Sequence, residues 1–117
     1  MTLTVMFANI VVCNREERDM HIALAPFTLR EGVSEETLLK TSEHFERSFV
    51  KKQDGILRRI LVRDGEGGYA DIVFFEDEQA IERVLEAEQN SEVCEAFFSI
   101  MDDDGAHRVF EVLKTYQ

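Results

Sequence analysis

The feature that most constrains the fold is the stretch from residue 69 to residue 101, where an apolar run leads into a helical pattern. Residues 69–75 (YADIVFF) are rich in β-branched and aromatic side chains, and neither the odd nor the even positions are uniformly polar. Such a run is typical of a strand that is buried on both faces. Ile81, Val84 and Leu85 then recur at helical spacing on one side. A buried strand followed by an amphipathic helix predicts a domain in which helices pack on a sheet.

Similar patterns predict the other regular elements. Strands are predicted over residues 21–30, 56–63 and 107–113, and glycine-rich residues 64–68 predict a hairpin between the middle two. Pro26 has no backbone donor, so it predicts an edge position or a bulge in the first strand.

Serine and aspartate mark the predicted helix starts. An amphipathic helix is predicted over residues 34–52 with Ser34 as its N-cap. A second helix is predicted to begin at Asp77 and to break at Asn90, after which Ser91 caps a further segment. The order is therefore β-α-β-β-α-β, which predicts an α+β, ferredoxin-like domain with an antiparallel sheet.

An N-terminal arm precedes this domain. Residues 3–13 form an apolar run that is shorter than the ~20 residues a membrane span needs. No basic segment precedes the run and no small-residue cleavage site follows it, so we expect no secretory signal and a cytoplasmic protein. We predict that residues 1–19 add a β segment, at a sheet edge or across a partner, to a domain of residues 20–117.

The apolar residues on both faces of the strands predict an assembly. Ala23 and Phe27 lie on one face of the first strand, whereas Ile22 and Leu24 lie on the other. Helices cover only one face of a ferredoxin-like sheet, and a monomer rarely exposes a large apolar patch. We therefore predict a homodimer in which two sheets pack face to face.

Composition and motifs exclude several classes of function. The 117 residues include 24 acidic and 13 basic side chains, a net charge of -11, which disfavours nucleic acid and anionic membrane surfaces as partners. The glycines of residues 64–68 precede a strand and lack the pattern of a phosphate loop. Cys13 and Cys94 are far apart, so neither a disulfide framework nor a zinc site is indicated. We expect no cofactor and no metal.

Asp71 is the strongest candidate for a catalytic residue, because it is the only acidic residue in the strand at residues 69–75. A carboxylate in apolar surroundings has a raised pKa and can act as a general base. Alternatively, Asp71 forms a structural ion pair with Arg59 or Arg58 on the adjoining strand. His44, in the first helix, is a further candidate, although a surface position is the simpler interpretation.

Two other histidines open the first and last strands. Because these strands are predicted neighbours, His21 and His107 could approach each other, but two histidines alone make an incomplete metal site.

Several of these segments together resemble a known superfamily. The segments are a strand that ends F-T-L-R-E-G, a capped helix with a terminal aromatic residue, the sequence GILRR, and the sequence YADIVFFE before an Ala-containing helix. From about residue 20 to residue 116 the chain resembles the dimeric α+β barrel superfamily, and within it the antibiotic-biosynthesis-monooxygenase-like proteins. The set of Asn, Trp and His found in haem-degrading members has no counterpart, because the chain contains no Trp.

The resemblance implies a cofactor-independent monooxygenase-like enzyme that acts on a small aromatic substrate. A non-catalytic module of the same fold, for small-molecule binding or for assembly, is the alternative. The candidate catalytic residues are Asp71, Arg59 and His44. A small hydrophobic or aromatic ligand would contact four aromatic candidates, Tyr69, Phe75, Phe45 and Phe97.

Overall fold

A computed structural model describes residues 19–103 and 105–116 of the chain. In chain order the elements are β1 (His21–Leu29), α1 (Glu35–Ser48), a 3-10 turn (Val50–Lys52), β2 (Ile56–Arg63), β3 (Tyr69–Phe75), α2 (Glu78–Glu88), α3 (Glu92–Phe98), β4 (Met101–Asp102) and β5 (Arg108–Glu111). The predicted α+β, ferredoxin-like order is confirmed. The predicted N-terminal β arm lies outside the described residues except for Asp19. None of the described helices is long and apolar enough to cross a membrane.

The sheet is antiparallel, and β1 lies inside it. β2 pairs with β3, and β3 pairs with β1, so that Asp71 stands between Leu61 and Ala25. On its other side β1 pairs with both β5 and β4. The hairpin between β2 and β3 is confirmed. The short strand β4 was not predicted from the sequence.

Pro26 has no partner on one side of β1. β5 pairs with residues 21–24 of β1 and β4 pairs with residues 28–29, which leaves Pro26 between them. The sequence predicted an edge position or a bulge here; β1 as a whole lies inside the sheet, but Pro26 itself has a local edge position. A residue without a backbone donor is tolerated there because none of the described strands pairs with it on that side.

All three predicted helix starts are confirmed by side-chain caps. The Ser34 hydroxyl accepts a hydrogen bond from the backbone N–H of Thr37 at 3.1 Å. Asp77 caps α2 in the same way, and Ser91 caps α3 after the predicted break. Each side chain satisfies a backbone donor that the first helical turn leaves unpaired.

The hydrophobic core lies between the helices and one face of the sheet, the inner face. This face carries the odd-numbered residues of β1 and β3, among them the buried Phe27 and Phe75, and the odd-numbered residues of β2 from Arg59 onwards. A shift in register after Ile56 places that residue on the inner face as well. The helices and the adjoining turn contribute Leu38, Phe45, Phe49, Val50, Ala80, Ile81, Val84, Cys94 and Phe97. Cys94 is a buried free thiol.

The other face of the sheet, the outer face, is also apolar. Ile72 stands at its centre, between Leu24 and Ile60. These three side chains are only partly buried and do not belong to the core between the helices and the inner face. The outer face is the surface for which the sequence predicts a second subunit.

The two strand-opening histidines lie at opposite ends of a strand pair. His21 is opposite Glu111, whereas His107 precedes Arg108, which is opposite Leu24. The possibility that His21 and His107 approach each other is excluded, because neighbouring antiparallel strands begin at opposite ends of the sheet.

Candidate ligand cavity

A cavity of about 130 Å³ lies between the inner face of the sheet and the helices. Its walls are mainly apolar and include the rings of Phe45, Phe75 and Phe97. A cavity of roughly 150 Å³ with apolar walls holds benzene. The volume therefore matches a molecule of one aromatic ring.

Arg59 and Asp71 form the polar floor of this cavity. Arg59 Nη1 donates a hydrogen bond to Asp71 Oδ1 at 2.8 Å, and Arg59 Nε donates to Glu46 Oε1 at 2.9 Å. Arg59 Nη2 donates to both oxygens of Ser42, at 2.7 and 3.0 Å. The guanidinium also lies over the ring of Phe45, 5.1 Å from its centroid. Every nitrogen of Arg59 is thus engaged by the protein itself.

The ion pair of Arg59 and Asp71 is largely removed from water, so both charges carry a desolvation cost. The side chains of Arg59 and Asp71 are 7% and 14% exposed, and that of Glu46 is 33% exposed. Burial raises the pKa of Asp71 above its usual range, although the charge and hydrogen bond of Arg59 oppose the shift. Desolvation of the Asp71 carboxylate therefore outweighs its attraction to Arg59.

Glu88 is a second carboxylate in the cavity wall, at the end of α2. Burial, followed by the charge of Asp71, raises the pKa of Glu88 to about 7, while His107 acts in the opposite direction. Sequence reasoning missed this residue. Glu88 lies four positions after Val84 and seven after Ile81, so the apolar spacing of α2 already placed it on the buried side.

His107 and Asp103 also line the cavity. His107 Nε2 lies 2.7 Å from Asp103 Oδ2, and this contact is the main cause that lowers the pKa of Asp103. Sequence reasoning did not place either residue in a ligand site. α3 ends at Phe98 and β4 follows, and Asp103, which comes directly after β4, lines the cavity.

Five of the seven catalytic and ligand-contact residues proposed from the sequence line the cavity. Asp71, Arg59, Phe45, Phe75 and Phe97 line it. The other two candidates lie elsewhere.

Tyr69 and His44 are bonded away from the cavity. The Tyr69 hydroxyl donates to Glu35 Oε1 at 3.1 Å, and the same carboxylate pairs with Arg63. His44 is exposed on α1, with its ring 3.4 Å from the Ser48 hydroxyl.

The titratable groups do not form a metal centre. Among the described residues, no group of three or more His, Cys, Asp and Glu side chains is arranged to hold a metal ion. The cavity instead combines apolar walls with Asp71, Arg59, Glu88, Asp103 and His107, which can hydrogen-bond a small ligand or exchange a proton with it.

Solved structures share this architecture. SnoaB, a cofactor-independent oxygenase from Streptomyces nogalater, matches 83% of this chain and 96% of its own, with 21% identity and a TM-score of 0.63. A monooxygenase of Streptomyces coelicolor, solved with the ligand nanaomycin D, matches 86% of this chain and 92% of its own, with 16% identity and a TM-score of 0.62. No protein-family model and no curated protein matches the chain.

These likenesses define the class of fold. The chain has the ferredoxin-like α+β fold of antibiotic-biosynthesis-monooxygenase-like proteins, as the resemblance in its sequence implied. A conserved protein from Methanosarcina mazei has a similar fold at 10% identity, with a TM-score of 0.58 over 82% of this chain and 95% of its own. Because one fold hosts many activities, function has to be argued from the cavity.

Proposed function

We propose that this chain is a cytoplasmic, homodimeric monooxygenase-like enzyme that acts on a small aromatic compound without a cofactor. The observation that carries the proposal is the apolar cavity of about 130 Å³ with ionisable groups in its walls. Phe45, Phe75 and Phe97 supply flat apolar surfaces for a ring. The oxygenases of the same fold support the choice of reaction.

The proposed reaction places limits on the substrate. One atom of O₂ enters the product and the other leaves as water, so a cofactor-independent enzyme needs a substrate that supplies the electrons. A CH₂ group beside a hydroxylated ring meets this need when it becomes a carbonyl, because its carbon takes one oxygen atom and its two hydrogens leave in the water. Removal of a proton makes such a substrate more electron-rich. Asp71 and Glu88 are the cavity groups whose raised pKa suits this step.

The outer face of the sheet supports the proposed homodimer. Ile72, Leu24 and Ile60 form a continuous apolar surface, and the outward-facing Phe110 on β5 extends it. Burying such a face against a second copy removes apolar area from water, at roughly 25 cal/mol per Å². A two-fold axis through the face would let each subunit cover the other.

One observation favours the alternative, a non-catalytic small-molecule-binding or assembly module. The Asp71 carboxylate is held by Arg59, and four of the five N–H donors of the Arg59 side chain already bond to the protein. Asp71 and Arg59 can therefore be a structural pair that closes the floor of a binding cavity.

Oxygen uptake separates the two functions. One-ring phenols that carry a CH₂ substituent would be incubated with the protein under isotopically labelled O₂, and products would be analysed for one labelled oxygen atom. Ala25 lines the cavity opposite Asp71, so Ala25→Phe should fill it and abolish uptake. Ala96→Phe places the same ring at an exposed position of α3 and should leave uptake unchanged. Ligand binding without labelled product would support the non-catalytic alternative.

A further inference from the structure

We propose that Glu88, rather than Asp71, accepts the hydroxyl proton of the ligand, and that the ligand is a neutral one-ring hydroxyaromatic compound. This inference rests on the proposed ligand-binding function of the cavity. It assigns a role to a residue that no sequence motif marked.

The two carboxylates differ in how the protein engages them. Asp71 accepts a 2.8 Å hydrogen bond from Arg59 and forms an ion pair with it. Among the described residues, no hydrogen bond or ion pair engages the Glu88 carboxylate. A partly buried carboxylate without a partner is unfavourable, and a hydroxyl donor in the cavity would relieve this.

The charges around Glu88 favour a neutral ligand. The carboxylates of Asp71 and Asp103 line the same cavity, against the cations of Arg59 and, when protonated, His107. Arg59 is already shared by two carboxylates, and His107 is paired with Asp103. A ligand carboxylate or phosphate would add a negative charge to a cavity whose described lining offers no unpaired cation to receive it. A neutral hydroxyl instead brings the donor that Glu88 lacks.

The cavity volume limits the size of the ligand. About 130 Å³ is close to the space that benzene occupies in an engineered apolar cavity of roughly 150 Å³. A compound of three fused rings exceeds this volume unless the cavity opens. Leu85 and Phe98 line the cavity and remain largely exposed, so its mouth lies between α2 and α3.

The chemical step is a proton transfer with no change in oxidation state. The O–H bond of the ligand breaks, an O–H bond forms on the Glu88 carboxylate, and the electron pair stays on the ligand oxygen as a phenolate. Burial and the charge of Asp71 raise the pKa of Glu88 to about 7, which makes its carboxylate a stronger base than an ordinary one.

Binding of three one-ring probes tests the inference without measuring turnover. Phenol, anisole and benzoate differ in carrying a hydroxyl donor, a methyl ether and a negative charge. Their affinities would be measured by calorimetry at about pH 8, where Glu88 is mostly ionised and phenol is neutral. We expect phenol to bind more tightly than anisole, and benzoate not to bind.

Variants of Glu88 identify the acceptor. Because a hydrogen bond to a charged group contributes at least about a factor of ten in affinity, Glu88→Met should lower the ratio of phenol to anisole affinity roughly tenfold. Glu88→Gln keeps a neutral acceptor and should lower the ratio less. Glu86→Met changes an exposed glutamate of the same helix and should leave the ratio unchanged.

The outcomes separate this inference from the proposed function. An unchanged phenol preference in Glu88→Met, or benzoate as the tightest probe, would overturn the inference alone. The same holds if Asp71→Asn, and not Glu88→Met, removes the preference. If the wild-type protein binds none of the three probes, the ligand-binding cavity itself is refuted.

Discussion

Replacement of Arg59 by Met tests how the buried charges are balanced. The Arg59 side chain is 7% exposed and forms ion pairs with both Asp71 and Glu46. Met keeps most of the apolar stem but removes the charge and all four hydrogen bonds. Asp71, only 14% exposed, would then be a buried carboxylate without a cation. Glu46, more exposed, can turn towards water at little cost.

Protonation of Asp71 sets an upper limit on the stability that Arg59→Met should lose. An isolated buried Asp71 would take up a proton rather than stay charged, and moving its pKa from its usual 3.8 to the solution pH costs about 1.4 kcal/mol per pH unit. The bound is therefore about 4 kcal/mol at pH 7 and about 1.5 kcal/mol at pH 5. Breaking a buried ion pair by removing one partner costs roughly 3–5 kcal/mol, in agreement with the value at pH 7.

Urea unfolding at both pH values measures the loss. With an m-value of about 2 kcal/mol per M, a loss of 3–4 kcal/mol lowers the midpoint by roughly 1.5–2 M at pH 7. The double variant Arg59→Met with Asp71→Asn removes the carboxylate as well and should recover most of the loss. A loss below about 1 kcal/mol at pH 7, or one independent of pH, would refute this account of the buried pair.

Three further results are expected. Asp71→Asn should change the free energy of unfolding by less than about 1 kcal/mol at pH 7, because desolvation already outweighs the attraction of Asp71 to Arg59 and Arg59 retains Glu46 and Ser42; a loss as large as that of Arg59→Met would contradict the shared pair. Glu88 keeps its proton up to about pH 7 in the folded protein but loses it near pH 4.5 in the unfolded chain. The free energy of unfolding should therefore fall as the pH rises from 4.5 to 7. Glu88→Gln should therefore raise the free energy of unfolding by roughly 1–2 kcal/mol at pH 8, after allowance for solvent screening, and by almost nothing at pH 4. An equal increase at both pH values would contradict the raised pKa of Glu88. Ile72→Lys on the outer face should convert the expected dimer into a monomer in sedimentation experiments, and a wild-type monomer would refute the dimer.

The sequence was sufficient for the order of elements and for most boundaries. Ser34, Asp77 and Ser91 are short-range signals, because each side chain caps the helix that follows it. Pro26 was predicted only as far as an edge position or a bulge, because its surroundings depend on two short strands, β4 and β5, that pair with β1 on either side of it. That arrangement depends on pairing between distant segments, which a local pattern does not contain.

The candidate site was predictable only in part. The pairing of Asp71 with Arg59 follows from the hairpin, in which both residues lie on the inner face. Glu88 was overlooked because an acid near a helix end usually faces water, although its spacing from Val84 places it on the buried side. His107 depends on how the chain turns between β4 and β5, for which the sequence offers no periodic signal.

A crystal soaked with 4-bromophenol tests the central claim most directly, because bromine can be located by its anomalous scattering. We predict one bromine site inside the cavity walled by Phe45, Phe75 and Phe97, with the phenol hydroxyl within hydrogen-bond distance of the Glu88 carboxylate. An empty cavity with bromine only on the outer face, or a hydroxyl directed at the Arg59–Asp71 pair and away from Glu88, would contradict the account.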